Sequence, residues 1–370
     1  MKIGVPRERR ERETRVAATP DIIKKYIKMG LSVLVEKSAG LEAGFSDEDF
    51  AHAGAELVST DAALGADIVL KVNRPETTET ALIKKGSLLI ALLEPYLNDG
   101  LVEKLAQTGV DSIAMELIPR ISRAQSMDAL SSQANIAGYR AVLEAAQYYR
   151  RFFPMMMTSA GSAKAARVFV LGVGVAGLQA IATAKRLGSQ IEAYDVRPDT
   201  KEQVQSLGGK FFEVELGEAG AGSGGYAKEL SEAGKAKLQQ ALAEKLMKCD
   251  IIITTANVPG RRAPILVSED VVKGMRMGSV IVDMAAPSGG NCALTVPDQV
   301  VIKHGVTIIG TKNLAALVAS DASSFYSKNL LALVSLMVKT KDGKTTLEMN
   351  LEDEIIAASL TTYQGCVRKK

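Results

Sequence analysis

The sequence contains no tryptophan, only two histidines and only three cysteines among its 370 residues. His52 and His304 are too few for a histidine-centred metal site, so we expect none. Cys249, Cys292 and Cys366 are scattered without the spacing of metal ligands, which is typical of reduced thiols in a cytosolic protein.

An excess of charge of one sign and long apolar runs are also lacking. The net charge is +3, which indicates no strongly charged partner, and no basic cluster with interleaved aromatic residues suggests nucleic acid. The apolar run at residues 87–93 is too short to span a bilayer, and the first residues, MKIGVPRE, lack the apolar core of a signal peptide. The composition, 47% hydrophobic and 24% charged, predicts a soluble globular protein long enough for two domains.

Short apolar runs alternate with helical patterns from residue 1 to about 118, which is typical of a parallel sheet covered by helices on both faces. The predicted strands are 2–5, 32–36, 67–72, 87–92 and 110–115, and the predicted helices are 21–29, 46–53 and 99–107. Asp21 is placed to cap the first helix, and Gly30 to end it.

A long helical pattern over residues 128–152 precedes a second set of predicted strands, at 168–171, 191–194, 210–214, 250–254, 279–283 and 307–309. The stretch from 321 onward is too short for another domain, so we expect it to pack on the first. The sequence therefore predicts an α/β fold with two Rossmann-like, doubly wound parallel-sheet domains, the first discontinuous: residues 1–127 plus 321–370, and residues 153–320, joined by the bridging helix 128–152. Three adjacent methionines at 155–157 indicate either adaptable packing at a hinge or core filling, and we expect core filling.

A glycine-rich turn between a predicted strand and a predicted helix is the strongest functional motif. Gly172, Gly174 and Gly177 form G-x-G-x-x-G, which permits a tight turn, close approach of a pyrophosphate to the backbone, and close helix–strand packing. Asp195 follows the next strand, 18 residues after Gly177, where a carboxylate accepts hydrogen bonds from both ribose hydroxyls. The pattern predicts a dinucleotide site that favours NAD over NADP, although the nearby Arg197 weakens this preference.

Two further segments allow both a functional and a structural interpretation. Residues 215–226 (ELGEAGAGSGGY) are either a disordered loop or a lid that carries Tyr226 to the nucleotide. Arg120, Gln125, Asp128 and Ser131 lie at a predicted strand end, where they could converge on a nicotinamide and its ribose. Alternatively, Asp128 caps the following helix with Ser131 in its first turn, and residue chemistry alone slightly favours this capping role.

Several stretches resemble the alanine dehydrogenase and nicotinamide nucleotide transhydrogenase superfamily. They are residues 4–8 (GVPRE), 15–20 (RVAATP), 43–47 (AGFSD) and 172–177 (GVGVAG). Residues 120–132, 154–158 (PMMMT) and 289–292 (GGNC) resemble its transhydrogenase branch, in particular the soluble NAD(H)-binding domain I in the split form, where this first portion of the alpha subunit is a separate chain.

This resemblance implies catalytic roles for Arg120, Gln125, Asp128 and Ser131. It implies NAD(H) binding by Arg120, Ile121, Ser122, Gln125, Gly172, Gly174, Val175, Ala176, Gly177, Asp195, Val196, Arg197, Gly225, Tyr226, Thr255, Ala256 and Asn257. Two departures stand out: family members usually carry an aliphatic residue at the position of Asn257, and the 215–226 loop is slightly short. No metal is implied.

The resemblance also implies partners. NADH is expected in a cleft between the two domains, with direct hydride transfer of the Re/Si-specific type to NADP⁺ on an NADP(H)-binding beta subunit. The membrane-spanning second portion of the alpha subunit, itself a separate chain, is expected to take part in proton translocation. The chain is expected to be a homodimer, cytoplasmic and peripheral at the inner face of the cytoplasmic membrane.

Two alternative functions belong to other classes. An NAD-dependent alanine or amino-acid dehydrogenase would use Arg15 and Lys71, which match the family's substrate-carboxylate residues. That enzyme also needs a histidine and an aspartate for proton removal, and Glu94 and Pro287 stand at those positions. A non-enzymatic NAD sensor would keep the fold without an exposed hydride face.

Overall fold

The structure, a computed structural model, describes residues 1–97, 99–214, 232–257, 260–341 and 343–368. The chain divides into two compact units: one comprises Met1–Gln133 and Ala315–Lys370, the other Ala134–Leu314. Each unit is built on a largely parallel sheet, so the predicted α/β fold with two Rossmann-like domains is confirmed. The more detailed domain limits at 127, 153 and 321 stay a prediction.

The first unit begins with strands that alternate with short helices. The strands are β1 (Lys2–Val5), β2 (Ser32–Glu36), β3 (Glu56–Val58), β4 (Ile68–Asn73), β5 (Leu88–Leu92) and β6 (Asp111–Ala114). The helices are α1 (Pro20–Lys28), α2 (Asp47–His52), α3 (Thr60–Leu64), α4 (Thr77–Thr80) and α5 (Leu101–Thr108). The six strands pair in parallel in the order β6-β5-β4-β1-β2-β3. Alternate residues of β4 enter different cores, Ile68 and Leu70 on one face and Val69 on the other.

Helix α1 begins one residue earlier than predicted, and the assignment of Asp21 as its cap is wrong. Thr19, in an extended conformation, is the N-cap residue, and Pro20 is the first helical residue. Proline suits this position because it has no N–H to leave unpaired and its φ is already helical. Asp21 lies in the first turn instead, where its charge still complements the helix dipole.

A long helix, α6 (Ala129–Tyr148), follows, and the boundary between the two units lies within it, after Gln133. It ends four residues before the predicted position of 152. Pro154 disfavours a helical conformation for Phe153, and the ring of Phe153 packs edge-on against Tyr149.

The second unit contains a hairpin, β7 (Met156–Thr158) with β8 (Gly161–Ala163), and a seven-stranded sheet. Its further strands are β9 (Arg167–Leu171), β10 (Gln190–Tyr194), β11 (Lys210–Phe211), β12 (Ile251–Thr254), β13 (Val280–Asp283), β14 (Val300–Lys303) and β15 (Val306–Ile309). Its helices are α7 (Val175–Arg186), α8 (Thr200–Ser206), α9 (Glu232–Leu246) and α10 (Glu269–Gly274). The strand order is β11-β10-β9-β12-β13-β15-β14, and only β14 is antiparallel.

This order places a topological switch point between β9 and β12. The chain runs outward from β9 through β10 to β11 and then returns to β12 on the other side of β9. Ligands of open α/β sheets bind beyond the carboxyl ends of the strands at such a point. Both the glycine-rich turn and Thr255 follow the strands that flank it.

The three adjacent methionines lie on the surface of the second unit, so the core-filling prediction is wrong. Met155 and Met157 are 65% and 75% exposed, and Met156 is 38% exposed on β7. The pattern of three apolar residues predicted burial because it does not distinguish a core strand from an exposed hairpin strand.

The chain then returns to the first unit. The last elements are α11 (Ala319–Met337), β16 (Val338–Lys341), β17 (Lys344–Leu347), α12 (Glu354–Ser359), β18 (Leu360–Tyr363) and β19 (Cys366–Val367). Strand β18 pairs antiparallel with β6, so the last segment completes an eight-stranded sheet, as expected for a discontinuous domain. Within the described part of the chain, no helix combines the length and apolarity needed to cross a membrane.

Candidate functional site

The glycine-rich turn joins β9 to α7 by close backbone contacts. Gly172 has a φ of 94°, and its N–H donates to the carbonyl of Tyr194 at 2.9 Å. A β-carbon on Gly177 would lie 2.0 Å from the carbonyl oxygen of Gly172, so helix and turn approach as closely as only glycine permits. The hydroxyl of Thr255, at the end of β12, donates to the same carbonyl at 2.9 Å.

Gly174 is different, because a β-carbon there would meet no atom within 4 Å. The position is the N-cap of α7, in extended conformation. Val175 is exposed at the start of the helix, whose first N–H groups have no intrahelical partners. The space over Gly174 and the positive end of α7 therefore fit an anionic group such as a pyrophosphate.

Asp195 is fixed beside this turn at the end of β10. Its Oδ2 accepts the N–H of Val173 at 2.7 Å and Nη2 of Arg197 at 2.9 Å, and its Oδ1 accepts the N–H and Nε of Arg197, both at 2.9 Å. Burial alone would raise the pKa of Asp195, but the hydrogen bonds from Arg197 and Val173 and the charge of Arg197 lower it. The carboxylate is thus ionised and largely buried, while Val196 beside it is exposed.

At the end of β12, Thr255, Ala256 and Asn257 lie beside the turn. Asn291 holds this strand end: its side chain accepts from the N–H of Ala256 at 3.1 Å and donates to the carbonyl of Ala256 at 2.8 Å. Asn257 is exposed and makes no hydrogen bond among the described residues. The structure therefore brings together the turn, Asp195, Val196, Arg197 and this strand end, all within the second unit.

The predicted nicotinamide-side residues lie in the first unit, in a short 3-10 helix (Ser122–Met127) and the start of α6. Asp128 caps α6: its carboxylate accepts the N–H of Ser131 at 2.8 Å and the hydroxyl of Ser131 at 2.6 Å. The structural interpretation of these two residues is therefore confirmed. Ser122 is exposed and Ile121 is half-buried. The side chains of Arg120 and Gln125 are exposed and have no hydrogen-bond or ion-pair partner among the described residues, so both are available to a ligand.

Helix α11 anchors this segment from the other side of the sequence. The amide of Asn329 donates to the carbonyl of Ser126 at 2.8 Å, and its oxygen accepts the hydroxyl of Ser132 at 2.7 Å. Arg123 pairs with Asp353 at 2.7 Å. The backbone that carries Arg120 and Gln125 is thus held in place while their side chains remain unengaged.

A cluster of buried charges surrounds the two cations that would bind a substrate carboxylate in a dehydrogenase. Arg15 donates from Nε and Nη2 to the two oxygens of Glu13, at 2.8 and 2.6 Å. Lys71 lies 2.8 Å from Glu79 and 3.5 Å from Glu8. All five side chains are less than a tenth exposed. Every cation is therefore already paired with an internal carboxylate.

The pKa values in this cluster follow from its geometry. Burial would raise the pKa of Glu13, but the charge and hydrogen bonds of Arg15, with a hydrogen bond from Asn73, lower it to about 2. For Glu8, burial prevails over the attraction of Lys71 and raises the pKa. The cluster is thus a firm ion-pair network around Arg15 and a weaker one around Glu8.

Gly225 and Tyr226, and with them the predicted 215–226 lid, lie outside the described residues. The other named positions are accounted for. Glu94 accepts from Arg10 at 3.2 Å, and its own N–H donates to Glu116. Pro287 lies in a 3-10 helix (Ala286–Ser288). Among the described residues, no group of three or more histidine, cysteine, aspartate or glutamate side chains could hold a metal ion.

Two family models match the sequence. One, for the alanine dehydrogenase/PNT N-terminal domain, matches residues 4–137, and the other, for the alanine dehydrogenase/PNT C-terminal domain, matches residues 141–370. Together they cover nearly the whole chain. The chain belongs to the alanine dehydrogenase/PNT family.

Relatives in this family include both kinds of enzyme. The first portion of the split NAD(P) transhydrogenase subunit alpha of Rhodospirillum rubrum is 50% identical over 376 residues, covering 99% of this chain and 97% of the relative. Alanine dehydrogenase 2 of Staphylococcus aureus (strain USA300) is 29% identical over 380 residues, covering 100% and 95%. A solved structure, transhydrogenase from Sinorhizobium meliloti, superimposes with a TM-score of 0.91 at 43% identity, covering 99% of this chain and 100% of that one. The predicted resemblance to the transhydrogenase branch is confirmed.

Sequence reasoning missed three structural features of this alanine dehydrogenase/PNT chain. Gly138, in α6, lets that helix approach α7, since a β-carbon there would lie 2.1 Å from the carbonyl oxygen of Ala176. A lone glycine inside a helical pattern was the available signal. Asn291 and Glu13 were missed because nothing in the sequence indicates that they hydrogen-bond to residues 35 and 2 positions away.

Proposed function

We propose that this chain is the NAD(H)-binding component of a proton-translocating transhydrogenase of the Re/Si-specific type. It presents NADH for direct hydride transfer to NADP⁺ on a partner subunit, and membrane subunits couple the transfer to proton translocation. The near-complete match to the first portion of a split NAD(P) transhydrogenase subunit alpha supports this proposal.

The residues of the glycine-rich turn fit NAD(H). The open position at Gly174 and the N-terminus of α7 would receive the pyrophosphate, with Val175, Ala176 and Gly177 forming the first turn of the helix. Asp195 would accept the hydroxyls of the adenosine ribose, and Val196, Arg197, Thr255, Ala256 and Asn257 would flank it. A 2′-phosphate would face the Asp195 carboxylate, so we expect NADH to bind more tightly than NADPH.

Arg120, Gln125, Asp128 and Ser131 would orient the dihydronicotinamide, with Ile121 and Ser122 beside them. When bound, NADH supplies the hydride. Transfer between two nicotinamide rings removes no proton from a substrate, so the chain's residues need only bind and orient. Gly225 and Tyr226 would close over the nucleotide in this proposal.

The state of Arg15 and Lys71 is the observation that favours transhydrogenation over amino-acid oxidation. A substrate carboxylate would have to displace Glu13 from Arg15 and Glu79 from Lys71, and both pairs are buried. Breaking a buried pair leaves an uncompensated charge and costs about 3–5 kcal/mol. In addition, Glu94 and Pro287 occupy the positions where the dehydrogenase needs its histidine and aspartate.

The proposal implies an assembly. The NADP(H)-binding beta subunit and the membrane-spanning second portion of the alpha subunit would be the partners, and the chain would act as a homodimer. It would be held at the inner face of the cytoplasmic membrane through those partners.

Two assays test the proposal on the purified chain. Mixed with the NADP(H)-binding subunit, NADH and NADP⁺, it should produce NADPH, whereas each subunit alone should not. With alanine and NAD⁺ it should produce no NADH. Alanine-dependent NADH production, or no NADPH in the mixture, would overturn the assignment.

A further inference from the structure

Asp195 has a complete set of hydrogen-bond donors within the protein. Each carboxylate oxygen accepts two hydrogen bonds, one from a backbone N–H and one from the guanidinium of Arg197. The backbone donors, Val173 and Arg197, belong to the turn and the strand end and fix the orientation of the carboxylate. The remaining lone pairs are filled by Nε and Nη2 of Arg197.

A ribose presents two adjacent hydroxyls, and the guanidinium presents two parallel N–H groups to the same carboxylate. Asp195 is largely buried, with its side chain only 7% exposed, so no free side of the carboxylate remains for additional donors. The hydroxyls and the guanidinium therefore compete for the same two acceptor positions. The backbone hydrogen bonds need not change in the exchange.

The guanidinium is suited to leave. Its side chain is 59% exposed, so water can solvate the charge when the pair opens. Nη2 also donates to the carbonyl of Val173 at 3.2 Å, which places the cation across the turn that would receive the pyrophosphate. A partly exposed ion pair of this kind contributes only modestly to stability, so opening it is feasible on ligand binding.

We propose that Arg197 is an internal competitor of the adenosine ribose: its guanidinium occupies the two positions on Asp195 that the 2′- and 3′-hydroxyls require, and it must swing away before NADH binds. This inference rests on the proposed NAD(H) site. It assigns to Arg197 the opposite effect from an ordinary ribose contact, since its presence weakens NADH binding.

Calorimetric titration with two ligands tests the inference. The ligands are NADH and NADH lacking both hydroxyls of its adenosine ribose, which has nothing to exchange for the guanidinium. Arg197→Ala should tighten NADH binding by about three- to fivefold, the effect expected from removing a partly exposed pair. Binding of the dideoxy ligand should stay unchanged. Arg186→Ala, which removes an exposed arginine at the end of α7, is the matched control and should change neither.

Arg197→Lys keeps the positive charge but not the two parallel hydrogen bonds, so its NADH affinity should lie between those of the wild type and Arg197→Ala. It also serves if the alanine variant fails to fold. Weaker or unchanged NADH binding in the variant, or an equal change for both ligands, would overturn the competitor role while leaving the NAD(H) site intact. A wild-type chain that binds no NADH would overturn the proposed function, and this inference with it.

Discussion

At the scale of single residues, the glycines of the turn separate stability from binding. A β-carbon at Gly174 meets no atom within 4 Å, whereas one at Gly177 would lie 2.0 Å from a backbone carbonyl. We therefore expect Gly174→Ala to leave the free energy of unfolding nearly unchanged and to weaken NADH binding, because the methyl group occupies the space of the pyrophosphate. Gly177→Ala should lower the free energy of unfolding by about 1–3 kcal/mol, since helix and turn must separate.

Urea unfolding and NADH titration of the two variants measure these effects. The assignment of the pyrophosphate to Gly174 would be wrong if Gly174→Ala bound NADH as tightly as the wild type while remaining folded.

Glu13 gives a second prediction at this scale. Because it is the counter-ion of the buried Arg15, Glu13→Gln should lower the free energy of unfolding by about 3–5 kcal/mol. Glu11→Gln, a change at a side chain that is 89% exposed, should alter it by less than about 0.5 kcal/mol. Equal stability of the two variants in chemical denaturation would show that the Arg15–Glu13 pair does not stabilise the fold.

The same residue predicts a pH dependence. Its pKa falls from 4.5 to about 2 on folding, so the unfolded chain binds more protons between these values. The stabilisation by Glu13 is present above pH 4.5 and is lost as the pH falls toward 2. The free energy of unfolding should therefore rise with pH across this window, by up to about 1.4 kcal/mol per pH unit from this group. Glu13→Gln should remove that contribution to the slope.

At the scale of elements, the start of α6 has a structural and a proposed functional role. Asp128→Ala removes the cap and should lower stability by about 1 kcal/mol. Gln125 is exposed and caps nothing. Gln125→Asn should leave stability unchanged but slow hydride transfer to NADP⁺ by up to about 100-fold, because a small misplacement of the reacting rings is costly.

Single-turnover kinetics with the NADP(H)-binding subunit, together with NADH titration, separate these effects. Wild-type transfer by the Gln125→Asn chain would mean that Gln125 does not position the nicotinamide. The segment would then serve only to cap α6.

The sequence predicted long, apolar elements well and short ones poorly. Strands β1 and β2 agree with their predicted limits because they are buried runs of four and five residues. Strand β14 was missed, because three of its four residues are exposed and its hairpin turns at His304 and Gly305, both with positive φ, rather than at an Asn-Gly pair. Strand β3 has only three residues, none fully buried.

The candidate site shows the same division. The turn at 172–177 and Asp195 were predictable because their function depends on local spacing. The fork of Arg197 on Asp195 and the pairing of Arg15 with Glu13 were not, because which side chains meet depends on rotamers that spacing does not determine.

At the scale of the whole molecule, each unit has its own sheet and its own cores on both sheet faces. The first unit carries the buried ion pairs and the exposed Arg120 and Gln125, and the second carries the glycine-rich turn. The account therefore assigns binding of the adenosine half of NADH to the second unit alone. Its preference for NADH over NADPH should follow from Asp195, and titration with both nucleotides measures it. Equal affinities would remove this role of Asp195.

The central claim is that hydride passes directly from NADH on this chain to NADP⁺ on its partner subunit. The most direct measurement is a single turnover with NADH dideuterated at C4 of the nicotinamide, this chain, and the NADP(H)-binding subunit loaded with NADP⁺, without alanine. The account predicts that the NADPH formed carries one deuterium and that none enters the water. NADPH without deuterium, or NADPH formed only when alanine is added, would contradict it.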